Sequence, residues 1–95
     1  MNKGNADISV IMPVYNAKDY LRFSIGDLLC QSFDDIELIC VDDGSTDGSS
    51  EILDFFAKND KRLHVWHKSN SGAGSARNFG MKKASGKYIY FAEKY

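Results

Sequence analysis

The sequence is poor in most of what would mark a specialised chain. One proline in 95 residues is too few for a polyproline or linker-rich architecture. The two cysteines, Cys30 and Cys40, fall inside a helical and a strand pattern, where each is expected to be a small buried hydrophobe rather than part of a disulfide framework. No charge of one sign dominates: 12 Lys and Arg stand against 13 Asp and Glu, a formal net charge of -1, so bulk electrostatics recruit no nucleic acid or other polyanion. No apolar run approaches the ~18 residues of a membrane span, and Met1 to Asp7 lacks the apolar stretch of a signal peptide. The expectation is a cytoplasmic chain with a disordered tail over 1–7 and one domain over 8–95, without repeats or linkers. What remains is 43% hydrophobic and 26% charged, the composition of a soluble globular domain. A chain of this size buries roughly 60 to 70% of its unfolded surface, which allows one modest core and excludes a two-lobed enzyme.

Short β-rich runs alternate with helical periodicity, separated by turn chemistry. Ile8 to Val14 is mostly apolar without clean alternation, as in a parallel strand covered on both faces, and Pro13 is expected to mark its end. Asn16 offers an N-cap, Asp19 lies near the positive helix end, and Leu21, Ile25, Leu28 and Leu29 keep helical spacing towards an end near Phe33. Ile36 to Val41 reads as the second strand and Asp42 to Gly48 as a polar loop. Ile52, Leu53 and Phe56 line a second helix, closed by Asn59 and Asp60. Leu63 to His67 is the third strand, Ser75 to Ala84 the third helix with Gly86 as its C′ residue, and Tyr88 to Ala92 the fourth strand, whose tyrosines are expected to pack beneath helices. Four strands joined by helical crossovers predict an α/β fold, a parallel Rossmann-like sheet with helices on both faces. Ligands of such sheets bind beyond the carboxyl ends of the strands. That selects the loops Val14 to Asn16, Asp42 to Gly48 and Ser69 to Ser75.

Within those loops, Asp42 and Asp43 are adjacent carboxylates leaving a buried strand, where they repel one another and need a partner. They suit hydrogen bonds from a nucleobase imide or ribose hydroxyls, or a share in holding a divalent ion; the local alternative is backbone N–H groups. Asp47 is expected to cap the second helix. The loop half-matches a calcium motif through Asp43, Ser45, Asp47 and Asp54, but a strand precedes it and no Glu closes it, so that reading is rejected. Gly72, Ala73 and Gly74 begin a G-x-G-x-x-G, but Arg77 takes the third glycine's place and the segment does not follow the first strand. It instead offers flexible backbone at a helix N-terminus, where a phosphate could sit near Arg77; a solvated surface guanidinium is the equal alternative. Tyr15 could stack on a planar base or pack over the sheet end. His64 and Trp66 share one strand face and His67 takes the other, so no pair converges on a metal. No Ser-His-Asp or Cys-His arrangement is present.

Taken together, Ile8 to Asn16, Ile39 to Gly48, Gly74 to Asn78 and Gly86 to Phe91 resemble the nucleotide-sugar-binding half of family 2 glycosyltransferases, in order and in spacing, over nearly the whole chain after Asp7. The resemblance implies the N-terminal part of a GT-A fold and, for the family, sugar transfer with inversion from a nucleoside diphosphate donor. Carried over by residue, Tyr15 would stack on or flank the base, Asp43 would accept from a uracil imide with Asp42 as its supporting neighbour, Pro13 and Val14 would line the base pocket, and Arg77 would lie near base and diphosphate. A UDP-sugar is therefore the implied donor, with a saccharide acceptor in a full-length parent that could be held at a membrane.

The departure comes after the fourth strand. The family continues with a Leu-Asp-x-Asp run that brings Mg²⁺ or Mn²⁺ to the diphosphate, whereas this chain reads Ala92, Glu93, Lys94, Tyr95. Tyr95 falls where the metal-binding carboxylate would be, and a phenol does not replace a hard carboxylate. The family's catalytic base lies beyond this point. The expectation is a half-site that does not turn over alone, with no catalytic and no metal-binding residue. The alternative is a non-catalytic nucleotide-binding or interaction module whose fourth strand is an exposed edge open to self-association. A nucleotidyltransferase would want a basic, Gly-rich loop after the first strand, which Val14 to Ala17 lacks.

Overall fold

The computed structural model describes residues 7–31 and 35–92. Strand β1 (Ile8–Val14) leads to helix α1 (Lys18–Gln31), β2 (Ile36–Asp43), α2 (Ser49–Asn59), β3 (Leu63–Lys68), α3 (Ala73–Lys83) and β4 (Tyr88–Phe91). All pairings are parallel, in the order β3-β2-β1-β4, so the expected α/β class holds. The chain steps from β1 to β2 to β3, then returns across the sheet to place β4 on the far side of β1. Strand order therefore reverses between β1 and β4, the place where open parallel sheets leave a crevice beyond their carboxyl ends.

The alternation along β1 and β2 sorts the core into two layers. Val10, Met12, Val14, Leu38 and Cys40 face α1 and α2, where they meet Ala17, Leu21, Ile25, Ile52 and Leu53. Ile39 and Val41 face α3 through Ala76, with Trp66 and Phe79 packed at the margin. Gly80 lets α3 approach this second layer, since a Cβ there would lie 2.5 Å from Ile11 Cγ2. Two helices thus cover one face and one helix the other.

Pro13 does not end its strand; β1 runs on to Val14. The Ile11 carbonyl accepts from Ala92 N–H on the β4 side, and Pro13, two residues on, addresses the same side. The β4 register closes opposite Ile11, so the missing N–H costs no ladder bond. Asp7, expected in the disordered tail, is hydrogen-bonded just ahead of β1: its N–H donates to the Asp35 carbonyl at 2.8 Å and its carbonyl accepts from Tyr88 N–H at 3.1 Å. Residues 1–6, and Phe33 as the predicted end of α1, lie outside the described residues.

Three further expectations are corrected. Cys30 is exposed, while Cys40 is buried as expected. Gly86 is not a left-handed cap, because the α3 C-cap is Ala84 in extended geometry. Gly86 is a close-approach residue: its N–H donates to Ser9 Oγ at 2.8 Å, and a Cβ would stand 2.8 Å from Ser9 N. Tyr88 and Tyr90 do not pack beneath helices; with Ile89 and Phe91 they are exposed on an edge strand. No helix among the described residues is long and apolar enough to cross a membrane.

Candidate functional site

Three segments meet beyond the carboxyl ends of β1 and β2, and side-chain hydrogen bonds lock them together. Asn16 adopts a left-handed conformation (φ 48°), which Asn tolerates better than most residues. Its N–H donates to Ser45 Oγ at 3.1 Å and its Oδ1 accepts from Thr46 N–H at 2.8 Å. Asn16 therefore ties two loops together instead of capping α1. That helix is capped from elsewhere in the chain: Ser49 Oγ accepts from Ala17 N–H at 3.0 Å and Asp47 Oδ2 from Lys18 N–H at 3.1 Å. Asp47 Oδ1 also accepts from Ser49 N–H at 3.0 Å and Ser49 OγH at 2.7 Å. Asp47 is not the N-cap of α2, which is Gly48 without a side-chain cap bond; from the position before it, Asp47 accepts from the first amides of both helices, which begin at the same end of the sheet.

Asp42 and Asp43 are the last residues of β2, not the first of a loop, and pleating sends them to opposite faces. On the α2 face, Asp42 Oδ1 accepts from Ser45 N–H at 3.0 Å, and its Oδ2 takes the Ser50 hydroxyl and His67 Nδ1, the latter at 2.7 Å. Burial raises the Asp42 carboxyl, but the bonds from Ser50, Ser45 and His67 outweigh it and hold the group below the ordinary carboxylate range. On the α3 face, Asp43 is 0% exposed. Its Oδ1 accepts from Lys68 Nζ at 3.1 Å and Ser71 N–H at 2.9 Å, and its Oδ2 from Gly72 N–H at 2.9 Å.

The partner that two adjacent carboxylates require is thus supplied by the chain itself. Asp43 does not present a carboxylate to solvent; it anchors the β3–α3 loop. Asn70 Nδ2 adds a bond to the Asp43 carbonyl at 3.0 Å, and Gly44 (φ 77°) leaves room for it, since a Cβ would lie 2.9 Å from Asn70 N. The Gly72 amide, in the segment where a phosphate could sit, points at Asp43 instead, as does the amide of Ser71. Helix α3 starts at Ala73, earlier than the predicted Ser75, behind Gly72 at φ 98° with no side-chain cap.

The other predicted site residues surround this anchor. Tyr15 is half-buried directly beyond β1. Pro13 and Val14 are buried, and Val14 belongs to the α1–α2 core, so neither presents accessible surface to a ligand. Arg77 is half-buried, with its guanidinium over the first turn of α3, 3.8 Å from where a Gly74 Cβ would stand. Among the described residues no group of three or more His, Cys, Asp or Glu is placed to hold a metal ion. The carboxylates at the end of β2 are occupied by protein donors. Glu93 and Tyr95 lie outside the described residues.

Sequence reasoning missed His67. Its Nε2 lies 2.8 Å from Asp54 Oδ1 of α2, while Nδ1 meets Asp42. The signal was the strand register: pairing the apolar stretches of β2 and β3 sets His67 opposite Asp42.

The chain matches the family model of Glycosyl transferase family 2 over residues 9–93. It is 47% identical, over 94% of its length, to a glycosyltransferase of Rickettsia bellii (strain RML369-C), and covers 13% of that protein. The crystal structure of S. aureus TarS superposes with a TM-score of 0.83 at 30% identity, over 93% of this chain and 16% of that one. A mannosyltransferase from Pyrobaculum calidifontis, PcManGT, solved with GDP-Man and Mn²⁺, superposes with a TM-score of 0.85 at 22% identity, over 95% and 28% of the two chains; at that identity the likeness is one of fold. The chain therefore spans about an eighth to under a third of the length of these proteins.

Proposed function

The chain belongs to glycosyltransferase family 2, and we propose that the crevice beyond β1 and β4 is the nucleotide half-site of an inverting transferase. The whole protein would use a UDP-sugar and a saccharide acceptor. The observation that carries the reading is positional. The loop over 44–48, tied to Asn16, and the loop over 69–72 are held by Asp42 and Asp43 at the carboxyl end of β2, beside the end of β1, where strand order reverses and this class of sheet receives nucleotides.

In this reading Tyr15 stacks on or flanks the base, Pro13 and Val14 support the pocket from beneath, and Arg77 turns towards the diphosphate, a fork-shaped donor suited to phosphate oxygens. Asp43 exchanges one of its loop hydrogen bonds for the imide N–H of uracil, with Asp42 fixing the turn beside it. A base without that N–H would leave the buried carboxylate short of a donor at a cost of about 1 to 3 kcal/mol.

An amide NMR titration of the chain with UDP tests the assignment. Shifts clustered at Tyr15, Asp43, Gly72 and Arg77, and weaker ones with GDP, are expected. Dispersed peaks that stay still with UDP overturn it, and equal responses to UDP and GDP overturn the role given to the imide. Mn²⁺ should change UDP affinity little, because Tyr95 stands at the family's ligand position; a strong metal dependence would contradict that placement.

A second reading, a module that completes its sheet with another chain, draws on β4, where Tyr88 and Tyr90 are 67% and 63% exposed. Size-exclusion chromatography separates the two readings: concentration-dependent dimers lost on placing a lysine at Ile89 favour the module, and a monomer at all concentrations removes it.

A further inference from the structure

His67 stands at the penultimate position of β3 with each ring nitrogen against a different carboxylate, Asp42 of β2 at 2.7 Å and Asp54 of α2 at 2.8 Å. A neutral imidazole has one N–H, and an ionised carboxylate only accepts, so both contacts are hydrogen bonds together only when the ring carries two protons. The geometry itself thus calls for an imidazolium. Lys68, next along the strand, points to the other face and binds Asp43, so the charges facing the ring are the Asp42 and Asp54 carboxylates.

The bridge matters because of what Asp42 holds. Its second oxygen accepts from Ser45 N–H, Ser45 Oγ accepts from Asn16 N–H, and Asn16 Oδ1 accepts from Thr46 N–H. Asn16 is the residue after Tyr15. A continuous set of hydrogen bonds therefore runs from Asp54 on α2, through the ring and Asp42, to the turn that carries Tyr15. The bond to Asp42 lies at the buried end, whereas the Asp54 side chain is 62% exposed.

We propose that His67, as an imidazolium bridging Asp42 and Asp54, is a positioning residue that holds the Ser45 turn and Tyr15 in place for nucleotide binding. The ring touches no ligand in this role and acts through Asp42. The proposal rests on the donor-site reading only where it identifies what the turn is positioned for. Burial opposes the charge on the ring, but the bonds to Asp42 and Asp54 outweigh it and raise His67 above the ordinary histidine range. The bridged form is therefore lost as pH rises through that raised midpoint.

The test follows the His67 imidazole resonances by NMR across pH and measures UDP affinity over the same range. In the unmodified chain, affinity should fall about three- to tenfold as pH rises through the His67 midpoint, the size of one net hydrogen bond. Asp54→Asn should move both midpoints to lower pH together, and His67→Ala should give the weaker affinity at every pH, without a transition. A merely structural histidine would lower affinity on substitution without the paired movement; an affinity midpoint that ignores Asp54→Asn overturns the proposal. Should UDP fail to bind at any pH, the donor reading falls alone. The bridge is then judged in the ligand-free chain: the Ser45 amide must titrate with His67 and shift with it in Asp54→Asn, and a Ser45 amide indifferent to both overturns it.

Discussion

Two glycines in helices allow a contact energy to be isolated. Gly80 in α3 faces the sheet, where a Cβ would stand 2.5 Å from Ile11 Cγ2 and 3.4 Å from Val41 Cγ2. Ile11 is 0% exposed and flanked by strands on both sides, so its methyl cannot turn away. Gly26 lies within α1 and has nothing within 4 Å of the same position. Replacing either by alanine adds about 1 kcal/mol of helix propensity. At Gly80 the overpacking cost of about 1 to 3 kcal/mol is set against it. The propensity gain cancels in the comparison, so Gly80→Ala should be less stable than Gly26→Ala by about 1 to 3 kcal/mol. Urea unfolding followed by far-UV circular dichroism would show this as Gly26→Ala raising the midpoint and Gly80→Ala failing to. With a slope of about 1 kcal/mol/M, the two midpoints should differ by about 1 to 3 M. Moving α3 outward would also loosen the Ser71 and Gly72 amides held by Asp43, so their hydrogen exchange should quicken in Gly80→Ala only. Equal gains in both variants would refute the reasoning that close helix–sheet contact requires glycine at position 80.

Other consequences are open to direct measurement. Asp42, held below the carboxylate norm, contributes stability that is present above about pH 4 and lost as pH falls through its lowered folded value. His67, raised by its carboxylates, contributes stability that is present below about pH 6.5 and lost as pH rises through its folded value. Denaturation midpoints should therefore peak between about pH 4 and 6.5, and a steady rise from pH 6 to 9 would contradict the bridge. Asp43→Asn leaves Lys68 Nζ and two loop amides around a neutral group and should cost about 3 kcal/mol or more, with UDP binding weakened far beyond the effect of Asp47→Asn; equal effects on binding by calorimetry would sink the role given to Asp43. Gly86→Ala would press a Cβ against the Ser9 backbone at 2.8 Å, and should raise the exchange rates of the Tyr88 to Phe91 amides while leaving β2 and β3 protected.

The parts of the fold that follow from repetition were legible in the residues. Apolar runs, helical spacing and turn chemistry gave all seven elements, their parallel class and the loops beyond the strand ends. What the residues concealed depended on contacts distant in sequence. Asn16 looks like a helix cap in isolation, and only Ser49 and Asp47, brought alongside by the fold, show that the capping oxygens come from elsewhere in the chain. Asp43 reads as a carboxylate offered to a ligand until the β3–α3 loop folds onto it. Tyr88 and Tyr90 alternate as core residues do, but alternation cannot tell whether any element covers the strand. Cys30 illustrates the same limit, because a helix position acquires its exposure from its neighbours. His67 could have been paired with Asp42 by aligning the apolar centres of β2 and β3, since a parallel register carries polar partners along with apolar ones.

The place of β4 bears on how the crevice comes into being. Ile8 pairs with Ile36 on one side and with Tyr88, near the far end of the chain, on the other, so the β1–β4 contact closes by far the longest loop in the sheet. β4 has four residues and one neighbouring strand, and exposes all four side chains; it is the element least costly to release while the other three strands stay paired. Release would erase the reversal of strand order and the crevice with it. The proposed nucleotide half-site then depends on β4 being docked, and a ligand bound there would be read first as slowed amide exchange from Tyr88 to Ala92, through its preference for the closed sheet.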